Sequence, residues 1–201
     1  MAGKVRNLSL YFAVLLLTLY LAGCGDTRPV PPVRVITAPE EGKSLIVFFR
    51  PSAFGASIPA NIFKIKNGTA SLVGIITAEE KIAYQLKPGK HLFMVVSDTA
   101  DFMSAELKAN KTYYSHIAPI MGRQVGRFSL DPISFKRLYS PQFNKNLENC
   151  KWVEKTPTAD NWATNNMASI QSKYKQYYPK WISDGLSEKS KLLPRDAKLE
   201  R

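Results

Sequence analysis

The sequence predicts a mainly β protein, an antiparallel β-sandwich with an α-helical C-terminal extension. Three observations point there. Between residues 43 and 133, about eight short β-prone runs alternate with turn residues roughly every 8–12 positions. Asn67-Gly68 sits between two of those runs, and a two-residue hairpin turn needs φ > 0 at both positions. After Asp131-Pro132 the chain turns polar, and apolar residues then recur at steps of three and four instead of two.

The first 23 residues precede that fold. Lys4 and Arg6 stand before the apolar run Leu8 to Leu21, which the small residues Ala22 and Gly23 close. Positive, then apolar, then small is the order of a secretory signal peptide. The run is shorter than the ~20 residues of a membrane span. Leu21-Ala22-Gly23-Cys24 resembles a bacterial lipobox. The resemblance implies cleavage between Gly23 and Cys24, a diacylglyceryl thioether on Cys24 and an amide-linked acyl chain on its new amino group. Each buried methylene contributes about 0.8 kcal/mol, so two acyl signals already anchor stably. Gly25, not Asp, follows the cysteine, which by analogy with lipoprotein sorting implies the periplasmic face of the outer membrane. Asp26 keeps the periplasmic face of the inner membrane as the alternative.

Residues 24–42 read as a lipidated, Pro-rich tether. Arg28-Pro29-Val30-Pro31-Pro32 favours polyproline II, and Pro39 adds a second break. At about 3.1 Å per residue, a fully extended tether would hold a domain roughly 50–60 Å off the bilayer.

The strands follow in order. Ser44 to Arg50 is a continuous β-prone run closed by Pro51. Asn61 to Lys66 ends in alternation, and Thr69 to Ile76 returns from the Asn67-Gly68 turn. Ile82, Tyr84 and Leu86 alternate with Lys81, Ala83 and Gln85. Lys87-Pro88-Gly89-Lys90 turns the chain, since Pro sets φ and Gly permits φ > 0. His91 to Ser97 returns almost wholly apolar, Ala105 and Leu107 mark a short strand, Thr112 to Ile120 another, and Val125 to Leu130 the last.

The extension spans 134–201. One helical turn is expected at Ser134 to Tyr139, and a helix from Thr158, capped by Thr158 or Asp160. Ala163, Met167, Ile170, Tyr174, Tyr177 and Trp181 then form one face of a 3.6-residue period. Pro179 should end or kink that helix near Tyr178. Residues 184–201 hold few apolar groups and are expected to fray as a charged tail.

From Ser44 to about Ile133 the chain resembles a family of small bacterial lipoproteins built on a domain of unknown function. The residues carrying the resemblance are Leu45 to Pro51, Leu86-Lys87-Pro88-Gly89-Lys90-His91, Asn110-Lys111-Thr112-Tyr113-Tyr114 and Gly126-Arg127-Phe128-Ser129-Leu130. It implies a transthyretin-like, or prealbumin-like, β-sandwich behind a lipidated N-terminus, and supplies no activity or site.

Catalytic patterns are sparse. The two histidines, His91 and His116, form no metal-spaced pair, so neither a metal nor a cofactor is expected. Ser172-Lys173-Tyr174-Lys175 matches Ser-x-x-Lys, a pattern common by chance and lacking the Lys-Thr-Gly that should follow it. Cys150, alone once Cys24 is acylated, reads first as a buried free thiol, with an exposed thiol or an intermolecular bridge as the alternatives. Asn67-Gly68-Thr69 and Asn110-Lys111-Thr112 read as turns and not as glycosylation acceptors.

Two stretches suit a binding surface, with packing against the sandwich as the alternative for each. One is the basic and aromatic stretch holding Tyr114, His116, Arg123 and Arg127; the other is the helical stripe with Tyr174, Tyr178 and Trp181 beside Lys173, Lys175 and Lys180. The formal net charge of +12 falls to +10 without Lys4 and Arg6. Such a balance suits an anionic partner, and export makes it an envelope protein or an anionic envelope polymer, not nucleic acid. The expectation is a non-enzymatic, lipid-anchored protein that touches the membrane through its lipid and binds within an envelope assembly. A carrier of a small apolar ligand or glycan is the alternative, and a cell-wall or lipid hydrolase or transferase the third reading.

Overall fold

The computed structural model describes residues 27–120 and 126–199 of the 201-residue chain. Cys24 and Arg123 lie outside the described residues, so the cleavage, lipidation and Arg123 expectations fall there too. Strand accounts for 41% and helix for 24% of the described chain, so the mainly β expectation holds.

The strands are β1 (Ser44–Arg50), β2 (Ala60–Lys66), β3 (Thr69–Ile76), β4 (Glu80–Leu86), β5 (Gly89–Val96), β6 (Ala100–Leu107), β7 (Lys111–Ile120), β8 (Arg127–Pro132), β9 (Lys151–Val153) and β10 (Lys191–Leu192). The helices are α1 (Pro141–Glu148), α2 (Pro157–Asn165), α3 (Met167–Ser183) and α4 (Leu186–Lys189). One sheet has the order β8-β7-β1-β4-β9, the other β10-β6-β5-β2-β3.

Both sheets are mixed, which corrects the antiparallel expectation. β1 pairs antiparallel with β4 but parallel with β7, β9 runs parallel to β4, and β10 parallel to β6. Turn residues announce hairpins because the partner is next in sequence. A parallel partner arrives after a long connection, and no local signal marks it. β1 takes the middle place because all seven of its residues are buried. A run apolar on both faces needs a neighbour on each edge and a layer on each side.

The Asn67-Gly68 turn forms as expected, with φ of 51° and 75°. Asn110 likewise turns at φ 56°, and its side chain accepts from the Gly42 N–H at 2.7 Å. Three apolar layers result. The interior one draws on both sheets, with Ile46 and Phe48 of β1 beside Ile62 of β2, Phe93 of β5 and Met103 of β6. Phe48 and Phe93 meet edge to face at 5.2 Å. Outside the second sheet, Phe63, Met94 and Phe102 lie under Ala163, Ile170 and Trp181 of α2 and α3. Outside the first sheet, Leu45, Val47, Phe49 and Tyr114 lie under Phe143 of α1 and Cys150.

The helical stripe is therefore a packing face, as its period implies. Its details differ from expectation. Thr156, not Thr158 or Asp160, caps α2 by accepting from the Ala159 N–H at 3.3 Å, and Pro157 takes the first helical position, where no N–H is needed. Asn166 separates α2 from α3. Pro179 does not end α3, which continues to Ser183. The carbonyl four residues before it belongs to exposed Lys175, where water can replace the lost N–H, and buried Trp181 holds the last turn against Phe102.

The tail is ordered, not frayed. Leu192 is wholly buried in β10, and Lys198 bridges to Thr112 of β7. Asp196 accepts from the backbone N–H of Phe135 at 3.0 Å and of Leu193 at 2.9 Å. Residues 184–201 hold few apolar groups, but two of those, Leu192 and Ala197, complete the interior layer.

The tether is also shorter than expected. Val30 and Glu154 exchange backbone hydrogen bonds of 3.1 and 2.8 Å. Farther on, the Glu40 N–H donates to the Gln85 side chain at 2.7 Å, and Gln85 donates back to the Glu40 carboxylate at 2.9 Å. From Val30 onward the chain is strapped to the domain. The backbone of Glu154, just past β9, gives it partners that polyproline sequence alone does not reveal.

Candidate functional site

The first sheet ends at β8, and the second exposes most of β6 because β10 covers only Ser104 and Ala105. These two edges face each other across the open side of the molecule. Asp101 of β6 accepts from the Leu130 N–H of β8 at 2.9 Å. The Ser190 hydroxyl lies 2.9 Å from the Phe102 carbonyl and 2.8 Å from that of Leu130, and its single proton serves one of them at a time. Together they clasp the two sheets. Burial pushes the Asp101 carboxyl upward, against the backbone N–H groups of Leu130 and Phe102 and the Arg127 charge.

Beside the clasp a cleft of about 550 Å³ opens between β6, β8, α3 and α4. Arg127, Lys180 and Lys189 supply its cations, and Asp101, Asp131 and Asp184 its carboxylates. Ile120, Tyr177, Trp181 and Leu186 give it apolar walls. Ile120 and Leu186 are 40% and 38% exposed, so these walls are open to a partner. Trp181 is buried, and its indole N–H has no hydrogen-bond partner among the described residues.

The expected binding residues divide among three places. Arg127 and Trp181, 54 positions apart in sequence, meet in the cleft. Tyr174 and Tyr178 sit on Phe102 at 6.0 and 5.3 Å and stack on each other at 5.1 Å, so they serve chiefly the helix–sheet layer. Tyr114 is buried beneath α1, edge to face with Phe143 at 5.1 Å, and burial pushes its hydroxyl pKa up to about 12.

His116 does share a face with Tyr114, but neither lines the cleft. Its ring stacks on Phe49 at 5.4 Å, and Nδ1 lies 3.7 Å from Asp131. Arg137 grips the same carboxylate through two 2.9 Å bonds. Burial works to raise the Asp131 pKa, but His116 and Arg137 outweigh it and hold the carboxyl below its ordinary range. A hollow of about 110 Å³ lies against His116, lined also by Ser140 and Asn146. The Ser140 hydroxyl there is committed: it donates to the Arg137 carbonyl at 2.8 Å and accepts from the Phe143 N–H at 3.2 Å as the cap of α1.

The remaining candidates take structural places. Cys150 is buried and donates to the Asn146 carbonyl at 3.2 Å. Burial pushes its thiol up to about 11, the opposite of what an attacking thiolate requires. His91 is tied to the Lys87 carbonyl at 2.8 Å, and burial lowers its pKa. Ser172 and Lys175 are both exposed on α3. Among the described residues, no group of three metal-ligating side chains converges, and no helix is long and apolar enough to cross a membrane.

Sequence reasoning missed Asp101, Lys189 and Ser190. Each lies in a segment read as loop or tail, and only the facing of β6 against β8 gives it a role. No protein-family model matches the chain, and no curated protein matches it significantly.

Proposed function

We propose that this protein is a lipid-anchored, non-enzymatic envelope protein, held by Cys24 on the periplasmic face of the outer membrane. Its fold on this reading is a transthyretin-like β-sandwich of the small-lipoprotein type, supported by the single interior layer that both sheets share. Its function is to bind another envelope protein through the cleft between β6, β8 and α3. The observation that carries this is the meeting of Arg127, Lys180 and Lys189 with the open apolar walls of Ile120 and Leu186. Cations beside exposed apolar groups fit a partner segment that is acidic and apolar together.

Photocrosslinking in intact cells tests it, with the crosslinker at Leu186. A discrete adduct is expected, and Arg127→Glu with Lys180→Glu should reduce it at least tenfold. An adduct pattern indifferent to both reversals would refute the reading. The cleft volume also lies within the ~300–1,000 Å³ range of small-molecule sites, which supports the carrier alternative. On that alternative, native mass spectrometry of protein purified from membranes shows a co-purifying small apolar molecule or glycan, and the charge reversals leave the crosslinks unchanged.

A further inference from the structure

The loop 51–59 joining β1 to β2 reads Pro-Ser-Ala-Phe-Gly-Ala-Ser-Ile-Pro and carries no charge, in a chain with 28 basic and 16 acidic residues. Phe54 at its tip is 54% exposed, the most exposed aromatic side chain among the described residues. An exposed phenylalanine on a mobile loop would mean little. This loop is held from within. Arg50 is wholly buried, and its guanidinium donates to the carbonyls of Phe54 at 3.0 Å, Gly55 at 2.6 Å and Ile58 at 2.6 Å. The same guanidinium lies 4.5 Å over the Phe128 ring. The Ile58 N–H closes onto the Gly55 carbonyl at 2.9 Å, with Gly55 at φ 66°. A buried cation thus fixes the backbone and leaves the ring in water.

The loop also stands at a particular end of the molecule. Arg50 is the register partner of Glu80, and Glu80 shares a hollow with Val30 and Thr156. Val30 is the residue through which the N-terminal strap bridges to Glu154. Only five residues lie between Cys24 and Val30, and the six residue steps give a covalent reach of at most about 20 Å. A seven-residue strand such as β1 is itself about 23 Å long. The Asn67-Gly68 turn, at the far end of the strands, lies a further strand length from the anchored end.

We infer that the loop 51–59 is a second membrane contact, in which Phe54 enters the interfacial layer of the bilayer that holds the Cys24 lipid. The inference rests on the lipid-anchor reading proposed above. The acyl chains supply the affinity, and the short tether keeps the loop at a high effective concentration near the surface. An uncharged loop with an aromatic tip then sets the orientation through apolar contact. Exposed Glu79 and exposed Lys151 stand side by side at the same end and offset each other, so the contact is apolar and not a polybasic attraction.

The test uses the full-length acylated protein in vesicles, with an environment-sensitive fluorophore at Phe54→Cys and, as control, at exposed Lys66→Cys. Buried Cys150 remains unlabelled under native conditions. Lipid-borne quenchers placed shallowly in the acyl chains should quench the label at 54 at least threefold more than that at 66. They should do so in phosphatidylcholine vesicles as well as in vesicles with phosphatidylglycerol. The unlabelled protein gives an independent readout: amide exchange of residues 53–58 should slow severalfold in vesicles relative to detergent, while that of residues 66–69 stays constant. Equal quenching at both positions, with no slowing of exchange, would overturn the orientation while an acylated mass at Cys24 leaves the anchor reading standing. A mature protein without acyl mass at Cys24 would overturn both.

Discussion

At the residue scale, Arg50 holds the 51–59 loop from within. Arg50 ends a run of six β-prone residues and reads in sequence as a strand terminus, yet it is wholly buried with three carbonyls on its guanidinium. Replacing it by methionine should destabilise the protein by roughly 2–4 kcal/mol, because hydrogen bonds from a charged donor are worth about 1.5–3 kcal/mol each and some water replaces them. Urea unfolding measures the loss, and limited proteolysis should cut the 51–59 loop sooner. Asp131 and Asp101 make opposite predictions about pH. His116 and Arg137 hold the Asp131 pKa below its unfolded value, so its contribution is present above the ordinary aspartate range and is lost as pH falls through the depressed folded value. Arg137→Gln should therefore lower the unfolding midpoint most at neutral pH and least in acid. Burial raises the Asp101 pKa, so that carboxylate costs stability once pH has risen through the raised folded value. Asp101→Asn keeps an acceptor for the Leu130 N–H and should raise the midpoint at pH 7 while leaving it unchanged in acid. Thermal unfolding over a pH series resolves both signs.

At the scale of elements, the 3.6-residue period of Ala163 to Trp181 identified the packing face of α2 and α3, but not what that face covers. Trp181 is 4% exposed against Phe102, whereas its neighbour Ile182 is 46% exposed. Trp181→Ala should cost about 3–5 kcal/mol and Ile182→Ser no more than about 0.5 kcal/mol, read from urea midpoints. Equal effects would contradict the described face. The β2–β3 hairpin, and the turn that carries the chain from β4 in one sheet to β5 in the other, were legible because their turn residues carry their own conformational demands. β9 and β10 were not legible, being three and two residues long. Their strand character comes from the edges of β4 and β6, which lend them hydrogen bonds no short segment holds alone. α1 was missed for a related reason. Its cap, Ser140 before Pro141, is an ordinary signal, but only Phe143 of the helix is buried, so no period announces it.

At the scale of the whole molecule, both ends of the described chain close the fold. The strap from Val30 lies along the first sheet. The last residues give β10 to the second sheet and the Lys198 bridge to β7 of the first. Removing residues 191–201 takes Leu192 and Ala197 from the interior layer and uncovers β6. It should cost roughly 3–6 kcal/mol, a large part of the ~5–15 kcal/mol that holds a domain folded. Circular dichroism during urea unfolding checks this, and an unchanged midpoint would restore the expectation of a frayed tail. The cleft is a product of the same closure, since α4 and Ser190 bring the tail across the facing edges of β6 and β8.

What the sequence by itself determined is local. Turn residues placed the hairpins, periodicity placed the strands and the helical face, and a mainly β fold with a helical extension followed. Arg127 and Trp181 were recognisable as candidates by residue type. Tertiary structure alone decided the parallel pairings, the strap, the tenth strand and the cleft that joins those two side chains. The reason is common to all of them. Each depends on contacts between segments far apart in the chain, whose backbone edges and side chains find partners only when both sheets are in place. The same reason separates Tyr114 from Tyr178: both binding candidates by sequence, they were assigned by the fold to opposite outer layers.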